Sequence, residues 1–302
     1  MKYSGIGGQA VMEGVMMKNK SRYAVAVRKP DQEIVVETTE YAGMIKNEKI
    51  RNIPLVRGVV QFVESLVIGV RSLTFSASFF EEEEDIGSKD GKKEEFMTGA
   101  TVAVSLLLAV GIFMVLPYGV SLLLGRSLSS RFAVTVLEGI LRLLIFIGYV
   151  AAISLMPDIK RVYMYHGAEH KCINCIEHGM DLNVENVRKS SRQHKRCGTS
   201  FLLIVMFISI LIFMLLQMES KILRFLLRLL LLPVIAGVSY EFIRLAGRSE
   251  SRFVGLLSKP GLLLQKITTR EPDDAMIEVA IASVEAVFDW KAFLEEPDGK
   301  KP

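Results

Sequence analysis

The chain lacks the sequence features of several common classes of protein. Its first 14 residues, MKYSGIGGQAVMEG, contain no apolar stretch, so we expect no signal peptide. No basic stripe alternates with aromatic residues, which argues against nucleic acid as a partner, and no glycine motif for nucleotides is present. Histidine and cysteine are scarce: the four histidines and three cysteines all lie between His166 and Cys197. Because these side chains bind transition metals, this window is the strongest indication of a chemical site.

Charge is nearly absent from four long stretches of the chain. Each stretch has 19 to 26 residues and two charged residues at most: residues 99–124, 132–156, 199–217 and 222–240. A helix needs about 20 apolar residues to cross a bilayer. We therefore predict four transmembrane helices in a mainly α membrane protein.

The distribution of lysine and arginine predicts how the chain is oriented in a membrane. These residues are concentrated before residue 99, between the second and third stretches, and after Tyr240. The positive-inside rule then places both termini and the loop with the histidines in the cytoplasm. The three cysteines are accordingly expected to be reduced thiols.

The chain is therefore divided into seven segments. They are a cytoplasmic segment with β-strands at 1–54, an amphipathic membrane-associated helix at 55–80, a charged linker at 81–98, a first transmembrane hairpin at 99–156, a cytoplasmic His/Cys loop at 157–198, a second transmembrane hairpin at 199–240, and a cytoplasmic tail with an amphipathic helix at 241–302. Short strands are predicted at 23–27 and 33–39, and the tail is expected to pack on this N-terminal unit. The linker is expected to be disordered, because its composition buries little apolar surface.

The amphipathic helix at 55–80 has two interpretations. Its polar face carries Arg57 and Glu64, opposite a continuous apolar face. It lies in the membrane interface with its charged face toward water, which is favoured, or it packs against the transmembrane helices with both charges in a polar cavity. Whether it enters the bilayer stays open.

The most informative motif is His166-x-x-Glu169-His170, whose three side chains share one face of a helix. The order matches the inverted zincin pattern, in which both histidines hold zinc and the glutamate carries protons for a water molecule. We therefore assign His166 and His170 as ligands of a divalent metal, with zinc favoured. Glu169 is assigned as the catalytic residue.

Glu177 is taken as the third ligand, and the sequence leaves alternatives to it open. The two histidines together with Glu177 would leave one position for water, as catalytic zinc sites do. Together with His194 and Cys197 they would form a closed, structural site. Glu241 is a reserve ligand or base, because it directly follows the last predicted span. In a further alternative no metal binds, and the histidines form only hydrogen bonds.

Several other polar residues are candidates for a functional site: Gln9, Glu13, Arg57, Glu64, Glu138, Arg142 and Arg244. Glu138 and Arg142 are four residues apart inside a predicted span, where an ion pair either fixes helix packing or serves a function. Cys172 and Cys175 are treated as core residues, because the thioredoxin-like setting of a redox pair is not visible.

Six segments, in order, carry a resemblance to one family: GGQAVMEGVMM at 7–17, RGVVQFVESLVIG at 57–69, YHGAEHK at 165–171, RCGTSF at 196–201, AGVSYEFIRLAGR at 236–248 and TTREPDDAMIEVAI at 268–281. The chain resembles the YqhQ-like bacterial membrane proteins, a family of unknown function described as metal-dependent. The resemblance implies a multi-pass protein of the bacterial cytoplasmic membrane. It also places eight residues within family motifs: Gln9, Glu13, His166, Glu169, His170, Cys197, Glu241 and Arg244. Lys195 stands where proline is expected, which weakens the assignment of His194 as a rigidly held ligand.

The favoured function is a metal-dependent hydrolase that acts on a membrane-associated substrate. His166 follows Pro157, the end of the second span, by nine residues, or about 14 Å of helix, so a lipid headgroup or a juxtamembrane peptide is within reach. The alternative is a non-enzymatic scaffold or regulator that binds a membrane-protein complex for insertion, translocation or turnover. The expected partners are membrane lipid and, in the alternative, another membrane protein.

Overall fold

The computed structural model describes residues 2–45, 47–80, 91–124, 130–216, 220–249 and 251–296. Its strands are β1 (Gly7–Val11), β2 (Gly14–Asn19), β3 (Arg22–Arg28) and β4 (Ile34–Glu40). Its helices are α1 (Glu48–Arg51), α2 (Val56–Ala77), α3 (Gly91–Val110), α4 (Leu116–Leu124), α5 (Arg131–Ile153), α6 (Pro157–Glu177), α7 (Val184–Lys189), α8 (Gly198–Leu215), α9 (Lys221–Leu230), α10 (Leu232–Arg248), α11 (Arg252–Thr268), α12 (Asp274–Glu285) and α13 (Trp290–Glu295).

The chain divides into two compact units. The first unit comprises Met1–Phe80, Ala152–Ile204 and Pro233–Pro302, and the second comprises Glu81–Ala151 and Val205–Leu232. The sheet and the His/Cys window belong to the first unit.

A four-stranded antiparallel sheet, with its strands in chain order, forms the N-terminal part of the first unit. The strands predicted at 23–27 and 33–39 are confirmed as β3 and β4. The glycine-rich residues before them form β1 and β2, which the sequence pattern did not predict. A two-residue turn joins β1 to β2, and its second residue, Glu13, has a φ of 47°.

Alternate residues along a strand point to opposite sides of the sheet, and both of these faces are buried by helices. One face packs on α6 and α12, and Val15, Met17 and Ala26 belong to this core. The other face packs on α2, and Ile68 of that helix lies in one apolar cluster with Val25. The sheet therefore holds α6, which carries the histidines, on one side and an apolar helix on the other.

Helix α12 explains how the C-terminal tail joins this unit. It begins where the Asp273 carboxylate accepts a hydrogen bond from the Met276 N–H, a typical helix N-cap. Its stripe of Ile277, Ala280 and Val284 is completely buried. Packing of the tail on the N-terminal unit is confirmed.

Four described helices are long and apolar enough to cross a membrane, by length and composition: Val56–Ala77, Gly99–Leu124, Phe132–Ile153 and Gly198–Leu215. The fold class of a mainly α membrane protein is confirmed, and three of these helices are predicted spans. The predicted span at 222–240 is not one helix, because α9 ends at Leu230 and α10 begins at Leu232. Pro233 stands at the start of α10, where a missing N–H costs nothing, and would break a helix that continued through it. Helix α2, predicted as amphipathic, is the fourth apolar helix.

The predicted charged linker at 81–98 falls partly outside the described residues, which omit 81–90. The part from Gly91 onward forms about the first two turns of α3, which therefore begins before the predicted span at 99–124. A π-helical turn, Gly111–Val115, follows α3 and leads directly into α4. Pro117 comes just after this turn and lacks an N–H, and such irregular turns are where a helix adjusts around a missing hydrogen bond.

Candidate metal site

The histidine motif lies on the part of helix α6 that is packed against the rest of the first unit. Pro157 occupies the first turn of α6, and nearly every residue from Tyr165 to Glu177 is buried. His166, Glu169 and His170 share one face, as predicted from their spacing. Gly167 lies beneath the chain that follows α11, because a Cβ at this position would overlap the carbonyl oxygen of Arg270. The motif therefore lies at a point where backbone approaches backbone.

Backbone carbonyls fix the orientation of both imidazole rings. The Nδ1–H of His166 donates to the Thr268 carbonyl at 2.8 Å, and the Nδ1–H of His170 donates to the Arg192 carbonyl at 2.7 Å. The two ring centroids are 4.4 Å apart. Because the Nδ1 atoms are occupied, each ring offers its Nε2 atom to a ligand, which is the arrangement that metal-binding histidines use.

Cys197 completes this cluster from the residue before α8. Its Sγ lies 3.1 Å from His166 Nε2 and 3.1 Å from Thr199 Oγ1. The donor atoms of His166, His170 and Cys197 all lie within 4.8 Å of one another, and no other such group of three occurs in the described residues. We call these three residues the His/His/Cys triad.

Electrostatics make the triad a strong donor set. Burial raises the pKa of the Cys197 thiol, but His166 and His170 outweigh burial and hold it well below its usual range. Burial lowers the pKa of His166, yet the charge and hydrogen bond of Cys197 raise it to about 9. Both shifts favour a thiolate on Cys197 beside a protonated His166 when no metal is bound. The thiolate is the form of cysteine that binds metals.

Glu169 lies beside the triad without belonging to it. One carboxylate oxygen is 3.9 Å from His166 Nε2, and the Gly8 N–H of β1 lies close enough to lower the pKa of this carboxyl. Burial raises the pKa of this carboxyl, and both neighbouring histidines oppose the rise. A buried carboxyl with a raised pKa is suited to accept and return a proton near neutral pH.

A loop clamped to α6 supplies the carbonyl that orients His170. Lys171 Nζ donates to the carbonyls of Arg188 and Ser190, at 2.9 Å each. Asn174 Nδ2 donates to the carbonyls of Ser191 and Gln193, at 2.6 and 3.0 Å. The sequence analysis missed these two clamps. A signal that could have found them is that Lys171 and Asn174 are polar residues on a stretch of helix whose other residues are mostly buried.

The structure places Glu177 and His194 outside the triad. The Glu177 carboxylate accepts hydrogen bonds from Arg196 at 2.5 Å and from the hydroxyl and N–H of Ser4 at 2.8 and 2.9 Å. His194 Nε2 lies 3.5 Å from the same carboxylate. Of the predicted ligand sets, the structure assembles neither the one with Glu177 nor the complete one with His194. It brings both histidines together with Cys197.

Glu177 carries a pH-dependent part of the stability. Burial raises its pKa, but the His194 hydrogen bond and the Arg196 charge lower it to about 2, against about 4.3 for a free glutamate. A lowered pKa in the folded state contributes stability above pH 4.3, which is lost as the pH falls toward 2. We expect Glu177→Gln to lose about 2–3 kcal/mol at pH 7 and to approach wild type near pH 2. Thermal unfolding in detergent between pH 2 and 7 measures this difference.

The matched control is Glu185→Gln, which removes an exposed carboxylate that pairs with Lys189. Its expected effect on stability is too small to resolve at any pH, because solvent screens an exposed ion pair. A pH-independent gap between Glu177→Gln and wild type would show that the carboxylate is not held in its charged form.

Two of the remaining candidates lie near the start of α6 and on β1. Arg161 donates to both carboxylate oxygens of Glu13, and the Tyr165 hydroxyl donates to one of them at 3.2 Å. Gln9 lies with its side-chain amide against Gly69 of α2. Glu13 therefore anchors the β1–β2 turn to α6, and Gln9 contacts α2.

Three further candidates, Arg57, Glu64 and Arg244, lie on α2 and α10, and the first two form ion pairs. Arg57 pairs with Glu241, so the reserve ligand Glu241 lies outside the triad. Glu64 is buried and accepts a hydrogen bond from the Met44 N–H at 2.9 Å, with Lys18 Nζ at 3.6 Å. Arg244 is half-buried, three residues beyond Glu241 on α10.

In the second unit, Glu138 and Arg142 form the predicted ion pair, with a distance of 2.8 Å. Arg228 of α9 joins them and donates to both oxygens of Glu138 at 2.6 Å. Sequence analysis missed Arg228 as a partner, because nothing in the chain's local pattern links two residues 90 positions apart.

Comparison with known proteins identifies relatives of the whole chain. A family model described as "Protein of unknown function (DUF1385)" matches residues 53–290. The "Uncharacterized protein YqhQ" of Bacillus subtilis (strain 168) is 34% identical over 299 residues, which cover 96% of this chain and 94% of that protein. No solved structure matches. The resemblance to the YqhQ-like proteins is confirmed, and the chain belongs to the DUF1385 family of proteins of unknown function.

Proposed function

We propose that this protein is a metal-dependent hydrolase of the bacterial cytoplasmic membrane. A divalent ion, with zinc favoured, would be held by His166, His170 and Cys197 at the cytoplasmic face, where both termini also lie. The observation that carries the proposal is the triad itself: three donor atoms within 4.8 Å of one another, two of them from buried residues and one from the partly buried His166, with both imidazole rings oriented by backbone carbonyls.

The chemistry of the donors fits a zinc-type ion. Zinc binds imidazole nitrogen at about 2.0–2.1 Å and thiolate at about 2.3 Å, so tetrahedral donors around it are about 3.3–3.8 Å apart. The distance of 3.1 Å between His166 Nε2 and Cys197 Sγ is close to this range. Three protein ligands leave a fourth position open, which distinguishes catalytic from structural zinc sites.

Glu169 is the residue that we propose to move protons. A bound divalent ion supplies Lewis acidity, which makes water a nucleophile at neutral pH. Glu169 lies within 3.9 Å of His166 Nε2 and keeps a raised pKa through burial, so it is placed to take a proton and to return it to a leaving group. The Gly8 N–H beside this carboxyl favours its charged form.

The position of the triad in the chain favours a membrane-associated substrate. Cys197 directly precedes Gly198, the first residue of the candidate span Gly198–Leu215. The third donor therefore lies at the end of a candidate membrane helix. A hydrolase built at this place would act on a group close to the bilayer surface.

Metal content tests the proposal. We expect about one equivalent of zinc per chain in protein purified in detergent without chelator, measured by elemental mass spectrometry. His166→Ala/His170→Ala and Cys197→Ala are each expected to lose it. Glu169→Gln is expected to keep it, because Glu169 is not a donor in the triad.

Matched controls are His178→Ala and Cys172→Ala. His178 Nδ1 bonds to the Asn174 carbonyl, away from the triad, and Cys172 is a buried core residue. Both should keep the metal. Absence of metal from the wild type, or equal metal in every variant, would contradict the proposal. If a membrane-protein complex were then recovered on gentle solubilisation, a scaffold or regulator would replace it.

A further inference from the structure

Strand β1 is an edge of the sheet, and its register shows which backbone groups point outward. The pair Val11 and Gly14 flanks a two-residue turn, so these two residues exchange both backbone hydrogen bonds. Hydrogen-bonded and non-hydrogen-bonded pairs alternate along an antiparallel ladder. Gln9 and Gly7 are therefore bonded to β2, whereas Gly8 and Ala10 direct their N–H and C=O groups away from it.

The same alternation can be checked on the other strands. The Arg28 N–H donates to the Glu13 carbonyl, and the Lys29 N–H donates to the Glu33 carbonyl. The same alternation applies to β4, the opposite edge of the sheet, where Thr38 directs its N–H and C=O groups away from β3.

The outward edge of β1 leads directly to the candidate site. The Gly8 N–H lies beside the Glu169 carboxyl and lowers its pKa, although burial raises that pKa more. Glycine permits this contact, because a Cβ at Gly8 would lie 2.6 Å from the Met16 carbonyl oxygen and 2.9 Å from Glu169 Cγ. Ala10 follows at about 7 Å along the strand, and its N–H has no partner in the described part of the chain. At Met12 the edge is covered, since that N–H donates to Ser76 Oγ.

The two edges of the sheet differ in how they are protected. Charged residues and proline on an edge strand prevent pairing with other chains. β4 carries Glu37 and Glu40, whereas β1 has the sequence GGQAV, with neither charge nor proline. A Cβ on Gly7 would meet no atom within 4 Å, so the face of the strand is open at that residue and can accept a side chain. The unprotected edge is thus the one that ends at Glu169.

We propose that the substrate is an extended polypeptide segment that pairs with the β1 edge; this inference rests on the proposed function and names its substrate class. The segment bonds to the Ala10 N–H and C=O and to the Gly8 carbonyl, as in β-strand addition. Pairing brings a peptide carbonyl of the segment beside Glu169 and the triad. Alternating donors and acceptors at strand spacing match another polypeptide strand, and a lipid headgroup offers no such repeat.

Ala10→Pro tests the pairing directly. Proline removes the outward N–H and leaves the β1–β2 ladder intact, because Ala10 makes no ladder bond to β2. The matched control is Thr38→Pro, which removes an outward N–H from the exposed β4 edge. A second variant, Gly7→Glu, adds to β1 the kind of charge that protects β4.

The probe is a fluorescein-labelled heptapeptide of alternating valine and threonine with lysine at both ends. One form ends in a hydroxamate, which binds zinc, and the other ends in a simple amide. Fluorescence anisotropy measures their affinity for the full-length protein in detergent. We expect Ala10→Pro and Gly7→Glu to weaken both forms by about fivefold to tenfold relative to wild type and Thr38→Pro. A fully N-methylated peptide amide should not bind.

The outcomes separate this inference from the proposed function. Equal affinities in wild type, Ala10→Pro and Gly7→Glu would overturn the edge-strand inference even if one equivalent of metal is present. No binding of either peptide, or displacement of both by the N-methylated form or by short-chain phosphatidylglycerol, would overturn it as well. We expect the wild type to bind the hydroxamate more tightly than the amide. Equal affinities for the two forms, with the Ala10→Pro effect retained, would refute the metal and leave the peptide surface in place.

Discussion

Replacing Glu138 by glutamine is expected to destabilise the protein by about 3–5 kcal/mol, because two buried arginines lose their shared counter-charge. Arg228 donates to both oxygens of Glu138, and Arg142 donates to one. All three side chains are almost completely buried. Arg142 also donates to Ser209 Oγ at 3.1 Å, and both guanidinium groups lie against the Phe213 ring, at 5.4 and 4.8 Å. These contacts hold the arginines in place and do not neutralise them.

The measurement is thermal unfolding and yield of detergent-purified protein. The control is Glu37→Gln, which removes an exposed carboxylate on β4 and should change stability by less than about 0.5 kcal/mol. The triple variant Glu138→Leu/Arg142→Met/Arg228→Met removes all three charges and is expected to recover most of the lost stability, since an apolar replacement of a buried charge network is often tolerated. A melting temperature of Glu138→Gln within about 2 °C of wild type would contradict the prediction.

The triple variant also decides what the cluster is for. Intramembrane charges are costly, so they are a functional hypothesis by default, and the sequence left packing and function as alternatives for Glu138 and Arg142. If the uncharged variant folds and restores whatever activity the wild type shows, the cluster serves helix packing. If it folds and stays inactive, the charges have a separate role.

This cluster shows which contacts a sequence can reveal. The pairing of Glu138 with Arg142 follows from their spacing of four residues on a helix. Arg228 lies on another helix, and its contact depends on how α9 is placed in the second unit. In the sequence, Arg228 is simply one of the two charged residues in the stretch 222–240, with no indicated partner. The pattern of that stretch predicts one helix, although it contains Pro233.

The fold was predictable where composition decides it. Long uncharged stretches indicate membrane helices because the bilayer needs a fixed length of apolar residues. The strands β3 and β4 were predictable because their residues favour strands and a turn separates them. β1 and β2 carry three glycines, at positions 7, 8 and 14, and Gly5 comes just before β1; these glycines weaken any local pattern. The two strands form a hairpin because tertiary packing on α2 and α6 buries them.

The candidate site was predictable to the extent that one helix determines it. The motif of His166, Glu169 and His170 requires only helical periodicity. Glu177 shares that face, but it lies seven residues beyond His170, about 10 Å along the helix axis, which is too far to share one ion. Cys197 reaches the histidines from the start of α8, and only the fold brings it there. The sequence named it as an alternative ligand without a means to prefer it.

Gly167→Ala is expected to weaken both the fold and the metal site, because a Cβ there would overlap the Arg270 carbonyl oxygen. That oxygen belongs to a backbone segment that cannot rotate away as a side chain does. The Arg270 N–H donates to the Tyr163 carbonyl at 2.8 Å, and the nearby Thr268 carbonyl orients His166. Overpacking costs about 1–3 kcal/mol and each lost hydrogen bond about 1 kcal/mol, so we expect a total loss of about 3–5 kcal/mol.

The metal affinity of the folded Gly167→Ala variant should fall by about 10-fold to 100-fold, the usual effect of removing a hydrogen bond that orients a metal-bound histidine. Competition with a chelator at 4 °C measures this affinity, and thermal unfolding of chelated protein measures stability without metal. The control is Gly255→Ala in α11, where a Cβ meets no atom within 4 Å and alanine favours the helix. If Gly167→Ala is destabilised but binds zinc as wild type does, the Thr268 carbonyl does not orient His166. If it loses metal with unchanged stability in the chelated state, the close approach of the two backbones exists to build the site and not to hold the fold.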